Sequence, residues 1–388
     1  MSILIAEKSK EALKAAVLIR GRLYAFKSEE SSLQQYRENA IMTGITERAM
    51  PGIHAVFVRL PGKQTGFLPI SPDRALPCSG TKLTVQIRHP ATRTKKAMLT
   101  DEITLPGQML VYLPSGQGIA VSKRLNHEEK KELLARTADI HLPGNGGFIL
   151  RASSLVCKPS DVMAEAYELE ERWKSIYQAS ASSPDICLLW PGEDIISTLI
   201  REERGRLEYI LTNAPERIPD TVPCPVKCCE HPFMIHNIPH MLDRSLRRCI
   251  RMKNGATLII DSCEAMTVID VNSASASGKK YTPEEINSEA AGEIARLLRL
   301  RGIGGMILID FIDMKEEKNR MKLMEDMEAV LKEDPVKTTV HDITALGLME
   351  LTRKRETNEL RADVRVPCPY CGGIGISCTP ASEEDCSL

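Results

Sequence analysis

Ala256-Thr257-Leu258-Ile259-Ile260, Met266-Thr267-Val268-Ile269-Asp270-Val271 and Met306-Ile307-Leu308-Ile309-Asp310 are the three stretches on which the fold turns. Each is short, apolar and rich in β-branched residues, the composition of a strand. A polar turn joins the first two. Between the second and third, Thr282-Pro283-Glu284-Glu285 is a capping box with proline at the first helical position. The helix it opens carries Ile286, Ala290, Ile294, Leu297 and Leu298 on one face and stops at Gly302. A second amphipathic helix is expected at about 316–332. Alternating strands and helices predict an α/β layer domain. The unbroken apolar run of Met306–Asp310 predicts a strand buried on both faces.

Toward the N-terminus, Ser2–Ala6, Ala15–Ile19 and Leu23–Phe26 read as strands, the last two joined across Gly21. His54–Val58, Gly66–Ile70 and Leu83–Ile87 are short strands between Gly and Pro turns, the spacing of a small barrel. Leu110–Leu113 and Gly147–Arg151 are further strands. A helix is expected over 126–138 with Asn126 as N-cap, and another from Ser160 to about Ser180. The small residues from Ala179 to Pro184 make the best linker candidate.

The chain has 388 residues, 43% hydrophobic and 27% charged, with a net charge of −1. That balance fits several soluble domains and excludes a uniformly basic nucleic-acid binder. No apolar stretch approaches the roughly 20 residues that span a bilayer, and no signal peptide is evident, so a cytoplasmic protein, or one of an organelle stroma, is expected. Basic residues cluster at 88–96, 244–253 and 353–355, each either a solvated face or a phosphate site. Twelve cysteines without a secretory signal suggest thiols or metal ligands.

Asp270 and Asp310 each end an apolar strand, where ligands gather in α/β sheets. Two carboxylates brought together repel, and a divalent cation relieves the repulsion. Oxygen ligands in small number suit Mg²⁺, and the matching chemistry is in-line phosphodiester hydrolysis. Asn272, two residues on, points to the same side of an extended strand. Strand-end caps or turn formers remain the alternative for both aspartates.

Thr267-Val268-Ile269-Asp270-Val271-Asn272-Ser273 resembles a signature of the ribonuclease E/G family, and Gly304-Gly305-Met306-Ile307-Leu308-Ile309-Asp310-Phe311-Ile312-Asp313-Met314 resembles that family's second catalytic strand. The resemblance extends over essentially the whole chain and is densest from 256 to 376. It implies Asp270 and Asp310 as ligands of a catalytic Mg²⁺, Asn272 as their support and Asp313 as a supporting carboxylate. The implied α/β multidomain fold is an RNase H-like scaffold (1–35 and 183–245) with an S1-type (OB) RNA-binding barrel (36–105) and a 5′-sensor-like region (106–182) inserted. A DNase I-like catalytic domain (246–362) and a zinc link with tail (363–388) follow.

Phe57 and Phe67 read by composition as core residues; the resemblance makes them the barrel's RNA-stacking pair. It likewise implies His89 and Lys95 as basic contacts, Lys337 as a phosphate clamp and Arg151 as the anchor of a 5′-monophosphate. A surface salt bridge is the alternative for Arg151. Ala152 stands where the family pattern has Thr, removing a hydroxyl donor. Cys368-Pro369-Tyr370-Cys371 is half of a tetrahedral zinc site, and the resemblance implies that two subunits share one Zn²⁺. The chain stops soon after Cys378, so a homodimer is expected. Cys224, Cys228, Cys229 and His231 read as loop thiols, with a second zinc in cis as the alternative. The implied activity is endonucleolytic cleavage of single-stranded RNA to 5′-phosphate and 3′-hydroxyl ends, in RNA processing or decay. The rivals are a non-catalytic RNA-binding protein that keeps the fold and a DNA nuclease.

Overall fold

The computed structural model describes all residues but 1, 31–35, 92–95, 124, 138–142, 145, 204–205, 220–221, 223, 274–280, 315, 356–359 and 361–388. The chain forms two compact units, Met1–Leu242 and Asp243–Leu388.

In the first unit, β1 (Ser2–Lys8), β2 (Ala12–Ile19) and β3 (Arg22–Glu30) form an antiparallel meander. Arg20 and Gly21 both have positive φ between β2 and β3, as a two-residue hairpin turn of the primed type requires. Next come β4 (Ile41–Met50), β5 (Ala55–Arg59), β6 (Thr65–Pro69), β7 (Lys82–His89) and β8 (Ala97–Thr100). The pairings β4–β5, β5–β6, β6–β8, β8–β7 and β7–β4 close a five-stranded barrel, with only β6–β8 parallel. Met42, Val56, Val58, Leu68, Val85, Ile87 and Leu99 fill it. Gly44 is there for space: a Cβ would lie 2.5 Å from Val58 Cγ1 and 2.9 Å from the Arg59 carbonyl.

A four-stranded sheet follows from β9 (Leu105–Pro106), β10 (Leu110–Leu113), β11 (Ile119–Val121) and β12 (Gly147–Leu150), with α1 (His127–Thr137) between the last two. Asn126 caps α1: its Oδ1 accepts from the Glu129 N–H while the Glu129 carboxylate takes the Asn126 N–H. Along α2 (Pro159–Ser182), Val162, Ala166, Leu169 and Ile176 join Tyr112, Phe148 and Leu150 in one core. The stretch expected as a linker is therefore mostly the last turn of α2. Ala and Ser are tolerated in a helix end, and only Pro184 enforces the stop.

Then come β13 (Leu188–Trp190), α3 (Ile195–Glu202), β14 (Leu207–Thr212), β15 (Val226–Cys228), α4 (Pro232–Ile235) and α5 (Ile238–Leu246), which runs across the unit boundary. β14 pairs parallel with β1, giving the order β15-β14-β1-β2-β3. One sheet thus joins the N-terminal strands to residues 207–228, and the barrel lies between them in sequence.

The second unit contains β16 (Cys249–Arg251), β17 (Thr257–Ser262), β18 (Met266–Asn272), α6 (Pro283–Arg301), β19 (Gly305–Asp310), α7 (Glu317–Leu331), β20 (Thr338–Ile343) and β21 (Leu348–Arg353). Its sheet runs β16-β17-β18-β19-β21-β20. Only β18–β19 is parallel, and α6 is the crossover that a parallel pair requires. The capping box at Thr282/Glu285 forms in full, and Gly302 ends α6 with φ 68°. Ile286, Ala290, Ile294, Leu297 and Leu298 of α6, with Leu323, Met327 and Leu331 of α7, pack on Leu258, Ile260, Ile269, Val271, Ile307, Ile309, Met349 and Leu351. At about 1.5–3 kcal/mol per large apolar side chain, this layer dominates the unit's stability.

Those residues alternate along the strands, and the intervening ones do not belong to that core. Met306 is 50% exposed, and Ile259, Val268 and Leu308 are half-buried. The expectation that β19 is buried on both faces is therefore wrong: α6 and α7 cover one face and leave the other open. A run without polar residues gave no sign of the open face, because its outward positions are Met306 and Leu308. Nor does Asp270 end its strand, since β18 continues through Asn272.

Candidate active site

The open face carries the catalytic candidates. Asp270 and Asp310 are direct register partners across the parallel β18–β19 pair, so their backbones are one strand spacing apart, about 4.8 Å. Val271 and Ile309, their neighbours in sequence, point into the helix-covered core. Period-two alternation consequently aims both carboxylates outward. Asn272 shares that face, and its Nδ2 donates to Asp270 Oδ2 at 2.6 Å. The amide fixes the orientation of the Asp270 carboxylate.

Partial burial pushes the Asp310 carboxyl above the usual carboxylate range, and the negative charges of Asp270 and then Asp313 push it further. The group is a partly buried carboxylate with two like charges beside it. Two carboxylates and an amide suffice for Mg²⁺, which keeps several waters, so the donor set fits that ion. No cluster of three or more His, Cys, Asp or Glu suited to a metal occurs among the described residues.

Asn287 of α6 went unnoticed in the sequence. It is fully buried; its Nδ2 donates to the Ile312 carbonyl at 2.8 Å, and its Oδ1 accepts from the Ile312 N–H at 3.0 Å. The side chain thereby supplies a missing backbone partner to the loop between Asp310 and Asp313. A polar residue at i+1 from Ile286 on the helix's apolar face was the only signal.

The remaining candidates are distributed. On the barrel, Phe57 and Phe67 are cross-strand partners outside the core, edge-to-face at 5.8 Å between centroids. Their half-exposed position corrects the core reading suggested by composition. Arg48 is opposite Phe57, Met98 beside Phe67 and His89 opposite Met98, while the Lys96 ammonium lies 4.6 Å from the Phe57 ring centroid. One row of the barrel surface thus combines two aromatics with cations. Lys95 lies outside the described residues.

Arg151 follows β12, half-buried, with its backbone N–H on the Met109 carbonyl. Beside it, Ser153 and Ser154 donate their hydroxyls to the Gln108 and Met109 carbonyls, so neither replaces the hydroxyl missing at Ala152. Lys337 is exposed just before β20. Its neighbour Thr338 is opposite Arg353, which pairs with Gly305, at the far end of β19 from Asp310. Within one chain Lys337 is therefore not brought to the aspartate pair. Cys224, Cys228, Cys229 and His231 assemble no metal cluster, and the three cysteines are free thiols. Cys368 and Cys371 lie outside the described residues.

Paired outward carboxylates on a mixed α/β sheet, in one chain with an aromatic-faced barrel, define a protein of the nuclease class. The model of the Ribonuclease E/G family matches residues 104–356, and the chain belongs to that family, whose members are endoribonucleases, hydrolases acting on RNA. It is similar to ribonuclease G of Escherichia coli K12, with 30% identity over 372 residues, 86% of this chain and 76% of that protein. With ribonuclease E of Synechocystis it shares 30% identity over 370 residues, again 86% of this chain but 55% of that protein. Against ribonuclease E of Haemophilus influenzae it is 30% identical over 409 residues, 96% of this chain and 44% of that protein. The chain thus spans about half the length of these ribonuclease E relatives.

Proposed function

We propose that this chain is a Mg²⁺-dependent endoribonuclease that cleaves single-stranded RNA to 5′-phosphate and 3′-hydroxyl ends, in RNA processing or decay. The observation that carries the reading is the register pairing of Asp270 with Asp310 on an open sheet face, with Asn272 hydrogen-bonded to Asp270. Asp270 and Asp310 would hold the ion, and Asn272 locks the Asp270 carboxylate. When bound, Mg²⁺ supplies Lewis acidity at the phosphodiester. Asp313 adds negative charge beside Asp310, which strengthens the pair's demand for a cation. Water attacks phosphorus in line with the departing 3′-oxygen; as the P–O3′ bond breaks, the attacking water gives up a proton to solvent, O3′ takes one from solvent to become the 3′-hydroxyl, and the phosphate stays on the downstream fragment. Asn287 holds the loop after Asp310 in place during this step.

The barrel is read as S1-type (OB), with Phe57 and Phe67 stacking bases and Arg48, Lys95 and Lys96 meeting phosphates; its closed five-stranded topology and aromatic row support this. Arg151 is read as the anchor of a 5′-monophosphate, weakened by Ala152. The RNase H-like and DNase I-like assignments, the Zn²⁺ shared by Cys368 and Cys371 of two subunits in a homodimer, and a cytoplasmic setting rest on family membership and motif. No described helix is long and apolar enough to cross a membrane.

The test is labelled single-stranded RNA with Mg²⁺, incubated with wild-type and Asp310→Asn protein. Wild type should yield 5′-phosphorylated fragments and the variant none. Equal cleavage by both removes the two-aspartate mechanism. Binding without cleavage by either supports a non-catalytic RNA-binding protein, and equal cutting of DNA supports a general nuclease.

A further inference from the structure

The basic cluster at 244–253 has no role in the reading above, and the sheet shows where it falls. β16 is the edge strand beside β17. Ile250 points into the helix-covered core, so Cys249 and Arg251, both exposed, point to the open face that carries the aspartates. Register places Arg251 opposite Thr257, and Thr257 opposite Asn272. Arg251 therefore stands in the Asn272 row, two strand spacings away, about 10 Å between backbones. The Asp270–Asp310 row is one side-chain step from it along the strands.

Most other arginines of this unit are engaged. Arg247 pairs with Asp243, and Arg248 binds Asp261 through two hydrogen bonds. Arg296 pairs with Glu293 and Arg353 with Asp334, both pairs buried. Arg301 donates to the Ser245 and Arg247 carbonyls. Arg251 has no carboxylate partner among the described residues. The Arg244 guanidinium reaches its carbonyl at 3.5 Å, bringing a second cation to the same edge.

We infer that Arg251, with Arg244 behind it, binds an RNA phosphate adjacent to the scissile one, on the Asn272 side of the aspartate pair. The inference rests on the endoribonuclease reading. The register puts the guanidinium on the edge strand across Thr257, beside the aspartate row rather than in it, which favours a neighbouring phosphate over the scissile one. A guanidinium matches two phosphate oxygens in a planar fork. It grips substrate and transition state alike, which makes Arg251 a binding residue whose loss raises KM and leaves kcat.

Four proteins on the Asp310→Asn background test this by equilibrium binding: no further change, Arg251→Ala, Arg251→Lys and Arg247→Ala. The probe is a single-stranded RNA oligonucleotide carrying one neutral methylphosphonate at successive positions. Asp310→Asn alone should show one position where neutralisation weakens binding about ten-fold, the size expected for a charge-assisted hydrogen bond. With Arg251→Ala the oligonucleotide should bind about ten-fold more weakly and lose sensitivity at that position. The slope of log affinity against log salt should become shallower by about 0.7, the share of one phosphate contact on a single strand. Arg251→Lys should restore the slope, and Arg247→Ala should leave it unchanged. On the catalytically intact background Arg251→Ala should raise KM about ten-fold and change kcat less than two-fold.

An unchanged slope and methylphosphonate profile in Arg251→Ala overturns the inference even if wild type cleaves RNA. An equal loss in Arg247→Ala overturns it too, since the cluster would then act as a diffuse field. If wild type cleaves no RNA, the endoribonuclease reading fails first and this inference with it.

Discussion

Replacing Asn287 with alanine tests whether the loop after Asp310 is held from the helix side. The residue is fully buried, and its amide makes both hydrogen bonds that the Ile312 backbone receives from it. Truncation leaves one donor and one acceptor without their partner. Each costs about 1–3 kcal/mol when water is excluded, and half-buried Ile312 lies toward the lower end. The expected loss is therefore about 2–3 kcal/mol, or roughly 5–10 °C in melting temperature at about 2–4 °C per kcal/mol. The functional loss should be larger. A displacement of about 1 Å at Asp310 costs on the order of 100-fold in rate. Single-turnover cleavage at saturating enzyme, alongside a thermal melt, separates the two effects. Asn287→Asp is the companion: it keeps the acceptor for the Ile312 N–H but turns a carboxylate oxygen toward the Ile312 carbonyl, so it should be no better than alanine at neutral pH. A protein that melts lower but cleaves at the wild-type rate would refute the positioning argument. One that changes in neither would refute the hydrogen-bond accounting as well.

The Glu165 carboxylate accepts from the backbone N–H groups of Gln108, Met109 and Leu110 at 2.5, 2.6 and 2.8 Å, so Glu165→Gln should lower stability by about 2 kcal/mol in a urea titration. Asp334→Asn should cost about 3–5 kcal/mol, because it strands the buried Arg353 guanidinium; adding Arg353→Met should recover much of that loss. Asp310 has a raised carboxyl, so its ionised form disfavours folding, and the penalty is absent in acid and grows as pH rises through the folded-state value. In chelator at pH 7, Asp310→Asn should melt above wild type, the gap should close toward acid, and Mg²⁺ should raise the melting point of wild type alone. Phe57→Ala and Phe67→Ala should each weaken single-stranded RNA binding by about 1–3 kcal/mol, measured by anisotropy, with little change in melting because both rings lie outside the barrel core.

The parts of this fold legible in sequence are those with local causes. Thr282 and Glu285 announce the start of α6, Gly302 announces its end, and both features form as expected. Asn126 and Glu129 do the same for α1. The strands that went unread are those defined by distant partners. β4 contains Gly44 and a charged end, and is a strand because β5 and β7 flank it. β20 and β21 complete the sheet that carries Asp270 and Asp310, yet Thr338–Ile343 alternates only weakly and its pairing is interrupted by a register shift. The place of Lys337 has the same kind of cause. Its distance from Asp310 depends on β21 running antiparallel to β19, which no local pattern reveals.

The aspartate pair combines both kinds of information. Nothing near Asp270 specifies that it faces Asp310 rather than Ile309 or Phe311. A slip of one residue would turn Asp270 toward α6 and bring Val271 to solvent, since side chains alternate with period two. That slip is opposed by Ile269 and Val271, which would leave the core together, at about 1.5–3 kcal/mol each, while Ile307 and Ile309 keep β19 facing the helices. The length of α6 between its two caps, with the apolar face it presents, sets where β19 returns beside β18. The geometry of the two carboxylates is thus enforced by residues buried on the opposite face of the sheet. Two charges that repel are held in register by roughly 3–6 kcal/mol of apolar burial on the opposite face of the slipping strand. That excess is what allows the sheet to keep the pair together before any cation arrives.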